Sequence, residues 1–162
     1  MNYDIKRLEH PNPQFMRDNC TRLDGEWEFA FDFDNSGAKR RWYDGRTLES
    51  RIIVPFACQS KLSGIEEKHP PETVWYARTL ECKKSGTERY LLHFEACDHD
   101  ADVWVNGCYI GGHKGGFSPF TLDITYALEN GANRLAVRAQ DSTSPAQLLG
   151  KQSWKDENFH CW

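Results

Sequence analysis

Short runs in which apolar and polar residues alternate, separated by turn-forming residues, occupy most of this 162-residue chain. Residues 25–33 (GEWEFAFDF) show the pattern most clearly. Their odd positions carry aromatic side chains (Trp27, Phe29, Phe31, Phe33), and Glu26, Glu28 and Asp32 lie on the other face. Because successive side chains of a strand point to opposite faces, this period of two predicts a half-buried strand. Similar runs occur at 52–56, 74–82, 90–96, 101–105, 120–124 and 133–140.

These runs predict the fold class. No long stretch has the 3.6-residue period of an amphipathic helix, so helix is a minor component, with one helical turn expected at 123–128. Seven or more short strands with frequent turns are typical of an all-β sandwich or barrel.

The dipeptide Asn106-Gly107 is the strongest local turn signature in the chain. Asn and Gly tolerate the positive φ that both central positions of a type I′ turn require, so the dipeptide predicts a tight β-hairpin. With these residues at the centre of the turn, Val105 faces Cys108, Trp104 faces Tyr109 and Val103 faces Ile110.

Composition limits the class of protein. The length suits one domain, and aromatic residues make up 13% of the chain, which is enough to build a core. Twenty basic and 24 acidic residues give a net charge of -4, which argues against a general nucleic-acid binder. No apolar run is long enough to cross a membrane, and the first residues lack the apolar core of a signal peptide. We therefore expect a cytoplasmic protein with no nucleic-acid or membrane partner.

The six cysteines are predicted to be free thiols. None shares a C-x-x-C spacing with another, which argues against a zinc site as well as a disulfide framework. Segments 74–82 and 90–97 are interpreted as one hairpin, which places Cys82 opposite 88–90 and too far from Cys97 for a disulfide. The cysteines are Cys20, Cys58, Cys82, Cys97, Cys108 and Cys161.

Two segments resemble ligand-binding loops only superficially. Residues 98–102 (DHDAD) begin like a calcium loop, but Val103 and Tyr109 stand where that loop needs glycine and glutamate. Residues 111–116 (GGHKGG) match no phosphate-binding motif and are interpreted as a loop that needs positive φ or close backbone approach. His113 within it is either a ligand or an ordinary loop histidine. We predict no catalytic residue, no metal site and no cofactor.

The C-terminal segment 150–162 (GKQSWKDENFHCW) is the best candidate for a binding site. Aromatic rings cover the apolar C–H faces of sugars, and polar groups bond to the hydroxyls, so this mixture of residues suits carbohydrate. The candidate contacts are Trp154, Asp156, Glu157 and Trp162. The alternative is that Trp154 and Trp162 simply pack onto the sandwich.

The chain also resembles a known family, the N-terminal sugar-binding domain of glycoside hydrolase family 2, which contains β-galactosidases, β-glucuronidases and β-mannosidases. The similar motifs run in the family's order from about residue 23 to the end. They are LDGEWEF at 23–29, VPF at 54–56, LSGI at 62–65, WYAR at 75–78, LHFEACD at 92–98, VWVNG at 103–107, GGHKGGFSPF at 111–120, DIT at 123–125 and GKQSW at 150–154.

The resemblance implies a jelly-roll β-sandwich of the galactose-binding-domain-like type at 25–162, with 1–24 as a lead segment packed on it. It also implies that catalysis, by retention with two glutamates, belongs to a TIM barrel beyond this chain, so that the chain alone is not an enzyme. The domain would then brace the barrel, rim its pocket for a β-glycoside, adjoin an immunoglobulin-like domain and help to form a homo-oligomer. Family members continue into one more strand, so we expect a domain cut before it, whose unpaired edge favours dimers. The rival interpretation is a self-sufficient carbohydrate-binding module.

Overall fold

The computed structural model describes residues 19–142, which form eight strands and one short 3-10 helix, Lys61–Ser63. Each strand predicted from the alternation is present, with its ends within two residues of the expected positions. The strands are β1 (Gly25–Phe31), β2 (Ser50–Val54), β3 (Thr73–Cys82), β4 (Leu91–Phe94), β5 (Asp100–Val105), β6 (Cys108–Lys114), β7 (Phe120–Asp123) and β8 (Gly131–Gln140).

The strands form a β-sandwich, as predicted. Six of them make one antiparallel sheet in the order β2-β1-β3-β8-β5-β6, and β4 pairs with β7 in a second sheet. The main core lies between the sheets, where apolar residues of the large sheet pack against the apolar side of β4 and β7. Its fully buried members include Phe29, Ile52, Val103, Val105 and Leu135.

A second apolar cluster lies on the outer face of the large sheet. Residues 34–49 fold back over this face, so that Trp42 and Leu48 are buried against Trp75 and Trp104. The rings of Tyr43 and Trp104 stack with centroids 4.9 Å apart, and those of Trp104 and Trp75 stack 5.2 Å apart. The predicted half-buried strand β1 is therefore covered on both faces, because the loop that follows it in the chain shields its outer side.

Asp32 is the clearest departure from the alternation pattern. The pattern puts this carboxylate on a polar face, whereas the structure buries it at the end of β1. It accepts hydrogen bonds from the backbone N–H groups of Ser36 and Gly37 and from Trp75 Nε1, each at 2.9 Å. Three donors compensate for the loss of hydration, so Asp32 anchors the start of the covering loop. Phe33, expected on the apolar face, lies past the strand end and is exposed.

The hairpin at Asn106-Gly107 is confirmed, with φ of 50° and 77° at the two turn residues. Val105 pairs with Cys108 and Trp104 with Tyr109, as predicted. The third predicted pair is wrong, because the register shifts between Val103 and Trp104, and Val103 faces Gly111. A β-bulge of this kind inserts one residue into a strand, here on the β6 side, and turn chemistry does not specify it.

The predicted hairpin between 74–82 and 90–97 is wrong. β3 lies in the middle of the large sheet between β1 and β8, and Cys82 pairs with Gly131, while β4 belongs to the other sheet. Burying both faces of β3 gains more than pairing it with its neighbour in sequence, because each face packs in a separate apolar cluster. The chain between 83 and 90 therefore crosses from one sheet to the other.

Smaller expectations have mixed outcomes. The expected helical turn at 123–128 is a hydrogen-bonded turn in which Ile124 O accepts from the N–H groups of Ala127 and Leu128. Of the six cysteines, the five within the described part of the chain are free. Between residues 19 and 142, no helix has the length and apolarity required to cross a membrane.

Candidate functional site

The four residues predicted to contact sugar, Trp154, Asp156, Glu157 and Trp162, lie outside the described residues. The chain approaches them from the end of β8, and Ser142 is the last residue described. Within the described residues, we take the surface at the end of the sandwich where β8 finishes as the candidate site. We call it the exit end and define it as residues 32–36, 72, 98–100, 114–118 and 140–142.

Alternating strand direction brings these segments together. Because neighbouring strands are antiparallel, β1, β8 and β6 finish at the end where β3 and β5 begin. Backbone hydrogen bonds then join the loops across strands. The N–H group of Asp141 donates to Glu72 O at 2.8 Å, that of His99 donates to Gln140 O at 3.2 Å, and that of Gly115 donates to His99 O at 2.8 Å.

The glycine-rich segment is packed closely at this end, as its composition predicts. Gly115 has a φ of 120°, and a Cβ added to Gly116 would lie 2.2 Å from Asp98 Oδ1. A side chain at 116 would therefore displace the Asp98 carboxylate. The predicted loop is shorter than expected, because Gly111 to Lys114 belong to strand β6.

His113 is a packing residue. Its ring stacks on that of Phe120 with centroids 4.4 Å apart, and Phe120 stacks in turn on Phe94 at 4.6 Å. Its Nε2 lies 3.0 Å from Ser118 Oγ. Residues 19–142 contain no group of three His, Cys, Asp or Glu side chains arranged to hold a metal ion. The ring of His113 is therefore used in stacking, and its Nε2 is used in the contact with Ser118.

Asp100 is the central charged group of the exit end. Its two oxygens lie 2.8 Å from Lys114 Nζ and 2.9 Å from His99 Nδ1. Burial opposes the charged form, but the hydrogen bonds and charges of Lys114 and His99 outweigh it and lower the pKa of the carboxyl. The Asp100 bond in turn raises the pKa of Lys114. Both groups are therefore ionised near neutral pH and suit hydrogen bonding better than proton transfer.

Two exposed aromatic rings complete this surface. Phe33 is 79% exposed beyond the end of β1, and Phe117 is 83% exposed in the loop after β6. Large exposed apolar side chains of this kind suit contact with another molecule or domain. The alternation pattern places Phe33 on the apolar face of β1, and Phe117 belongs to the family motif at 111–120. The glycines before Phe117 and the proline after its neighbour are the sequence features that mark it as a loop-tip residue.

Fold and surface together define a class: a β-sandwich domain whose loops at one end present aromatic, carboxylate and amine side chains to a ligand or a neighbouring domain. A family model described as glycosyl hydrolases family 2, sugar binding domain, matches residues 20–158. The chain belongs to this family, and the resemblance drawn from its motifs is confirmed.

Related proteins are much longer than this chain. The β-glucuronidase of Paenibacillus borealis is 34% identical over 131 residues, which cover 76% of this chain and 22% of the relative. Human β-glucuronidase is 28% identical over 144 residues, covering 80% of this chain and 22% of the relative. The chain therefore spans about a fifth of the curated relatives it matches.

Solved structures of β-glucuronidases contain a domain with the same fold as this chain. Lactobacillus rhamnosus β-glucuronidase superposes with a TM-score of 0.69 at 31% identity, covering 76% of this chain and 21% of that one. A β-glucuronidase from Ruminococcus gnavus in complex with C6-substituted uronic isofagomine superposes with a TM-score of 0.70 at 25% identity. The match covers 84% of this chain and 24% of that one. The chain therefore matches one domain of these longer β-glucuronidases.

Proposed function

We propose that this chain is the N-terminal domain of a β-glucuronidase, whose catalytic barrel and immunoglobulin-like domain lie in other parts of the same protein. The observation that carries the proposal is the family match over 20–158 combined with β-glucuronidases among both the curated relatives and the solved structures. The sequence motifs are compatible with both a β-galactosidase and a β-glucuronidase. The relatives favour the second, and so a β-glucuronide as substrate.

The domain's own role in this proposal is to brace the barrel and to contribute to the rim of its substrate pocket. The exit end supports this role, because its exposed Phe33 and Phe117 suit a domain contact. The ionised Asp100 and Lys114, at the start of β5 and the end of β6, suit hydrogen bonds to a polar substrate. We place no catalytic group in the chain. A self-sufficient binding module is less favoured, since the relatives extend to about five times the matched length.

The full-length protein tests the catalytic assignment. Assayed with aryl β-glucuronide, β-galactoside and β-mannoside, it should prefer the glucuronide by at least about a hundredfold in kcat/KM, because a site built to bond a carboxylate rejects analogues without it. Preference for the galactoside or mannoside would overturn the assignment. The 162-residue chain alone should show no turnover of any of the three.

A matched pair of variants tests the role of the exit end. In the full-length enzyme, Phe117→Ala should lower kcat/KM by up to about tenfold if Phe117 is an interface anchor. The melting temperature of the variant should fall as well. Leu91→Ala is the control. Leu91 is also exposed, but it pairs with Asp123, at the end of the small sheet away from Phe120 and the loop of Phe117. Equal behaviour of the two variants and the wild type would remove Phe117 from the contact surface.

The cytoplasmic location expected from the sequence stays a proposal. Its support is that the five cysteines described by the structure are free, two of them exposed, as is usual in a reducing compartment. Fractionation of cells that express the full-length protein would test it.

A further inference from the structure

An open groove crosses the outer face of the large sheet beside the part that residues 34–49 cover. It lies over β5 and β6, and its volume of about 450 Å³ falls within the ~300–1,000 Å³ of small-molecule sites. Its walls are formed by the side chains of Asp100, Asp102, Tyr109 and Lys114, with Gly112 between them. Four of these residues belong to 98–102 and 111–116, which match no binding motif, so their convergence on one groove was not predicted from the sequence.

Tyr109 forms an aromatic wall held at a set angle. Its ring is 52% exposed and packs edge-on against Trp104, with centroids 5.5 Å apart. Its hydroxyl donates to Asp102 Oδ1 at 3.0 Å. A Cβ added to Gly112 would lie 2.7 Å from Ala101 O and 3.0 Å from the Tyr109 hydroxyl. The glycine thus leaves room for the Tyr109 hydroxyl to lie against the β6 backbone beside Asp102, which fixes the orientation of the ring.

The charges of the groove balance one another. Asp102 lies 3.5 Å from Arg138 Nη1, and Asp100 lies 2.8 Å from Lys114 Nζ, so two carboxylates face two cations. With no net charge, the groove gives no general preference to an anion or a cation. Each carboxylate oxygen can accept more than one hydrogen bond, and the Lys114 ammonium has three donors. These groups therefore retain capacity for a ligand that both donates and accepts hydrogen bonds.

A neutral sugar ring has the chemistry that this combination requires. One face of a pyranose carries apolar C–H groups that stack on an aromatic ring, and its edge carries hydroxyls that both donate and accept. An apolar peptide would leave the carboxylates without hydration, and a nucleic acid would meet no excess of positive charge. We propose that the groove of Asp102, Tyr109 and Lys114 binds neutral pyranose units of an oligosaccharide. This proposal goes beyond the glucuronidase assignment and does not depend on it.

Amide NMR of the ¹⁵N-labelled 162-residue chain tests the site directly. The probes are neutral oligosaccharides of glucose, galactose, mannose or xylose, in α- and β-linkage. At least one should shift the amides of Asp102, Tyr109, Gly112 and Lys114, with a dissociation constant on the order of 1 mM, because an open groove contacts only one side of the ligand. No shift of these amides with any probe up to about 20 mM would overturn the proposal.

Variants separate the groove from other surfaces. Tyr109→Ala should weaken binding at least about tenfold, as loss of an aromatic platform does. Tyr109→Phe keeps the ring and loses the bond to Asp102, so it should bind a few-fold more weakly and remain measurable if Tyr109→Ala fails to fold. Phe33→Ala, which removes another exposed ring, should bind as the wild type does. Unchanged binding in both Tyr109 variants would refute the site, as would tighter binding of oligogalacturonate than of every neutral probe.

Discussion

Replacing Glu28 with Gln should destabilise this domain more than any single surface substitution, because Glu28 joins three distant parts of the fold. Its two oxygens lie 2.6 Å from Nη1 and Nη2 of Arg134 on β8, and one of them also accepts from the N–H group of Leu48 at 2.8 Å. Arg134 Nη2 donates in turn to Arg46 O at 2.6 Å. The side chains of Glu28 and Arg134 are only 17% and 16% exposed. The pair therefore attaches the covering loop to the sheet.

The magnitude follows from the burial of the pair. Breaking a buried pair by removing one charge costs about 3–5 kcal/mol, because the remaining charge is left without compensation. Gln keeps the size of the side chain and one acceptor oxygen, so we expect a loss of about 3 kcal/mol in the free energy of unfolding. The control is Glu49→Gln, which breaks the 2.7 Å contact with Arg46 Nη2 at a residue that is 72% exposed. It should change stability by less than about 1 kcal/mol.

The assay is urea unfolding of the 162-residue chain at several pH values. The hydrogen bond from Arg134 is the main cause that lowers the pKa of Glu28 from its ordinary value of 4.5, and burial partly opposes it. A lowered folded pKa means that the carboxylate stabilises the fold fully above about pH 4.5 and that this stabilisation is lost as the pH falls through the folded value. The gap between wild type and Glu28→Gln should therefore narrow at about pH 3.

Two results would refute this reasoning. One is a penalty at pH 7 no larger than that of Glu49→Gln, which would mean that the pair contributes no more than an exposed one. The other is a penalty that stays constant down to pH 3, which would mean that lost packing and not lost charge causes it. Combining Glu28→Gln with Arg134→Met measures the interaction between the two side chains. The double variant should lose less free energy of unfolding than the two single variants lose in sum.

Two further predictions follow from the core and the thiols. Gly37→Ala should destabilise the fold by about 2–4 kcal/mol in a thermal melt, since its Cβ would lie 2.5 Å from Trp75 Nε1. The control Gly86→Ala should be close to neutral, because no atom lies within 4 Å of the added Cβ. Equal melting temperatures of the two variants would contradict the close packing at Gly37. Thiol titration in denaturant should find six free thiols, and among the five described cysteines the exposed Cys20 and Cys108 should react first in the native state. Burial raises the pKa of the Cys58 thiol to about 11 and that of the Cys97 thiol to about 12, so early labelling of either would show that the core opens readily.

Local patterns predicted the elements of this fold well. Alternation along 25–31 and 74–82 marks β1 and β3, and the Asn106-Gly107 turn predicts two of the three strand pairs beside it correctly. These features depend on backbone preferences and on side chains a few residues apart, which a sequence contains directly. The family motifs added the sandwich architecture, because they occur in order over most of the chain.

The candidate site was less accessible to sequence reasoning. The residues proposed from composition at 154–162 lie outside the described residues and stay a prediction. The exit end and the groove combine side chains from strands that are remote in sequence, such as Asp102 on β5 and Arg138 on β8. Neither residue belongs to a motif with a mechanism of its own, so only their juxtaposition gives them a role.

The sequence by itself determined which segments become strands, where the tight turn falls and which family the domain belongs to, because each depends on local chemistry or on motif order. Tertiary structure decided the rest. It set β3 beside β8 instead of β4, shifted the register after Trp104, and buried Asp32 and Glu28 beneath residues 34–49. The physical reason is that strand pairing and burial are settled by the free energy of the whole sandwich, in which apolar area covered on both faces of a strand outweighs proximity along the chain.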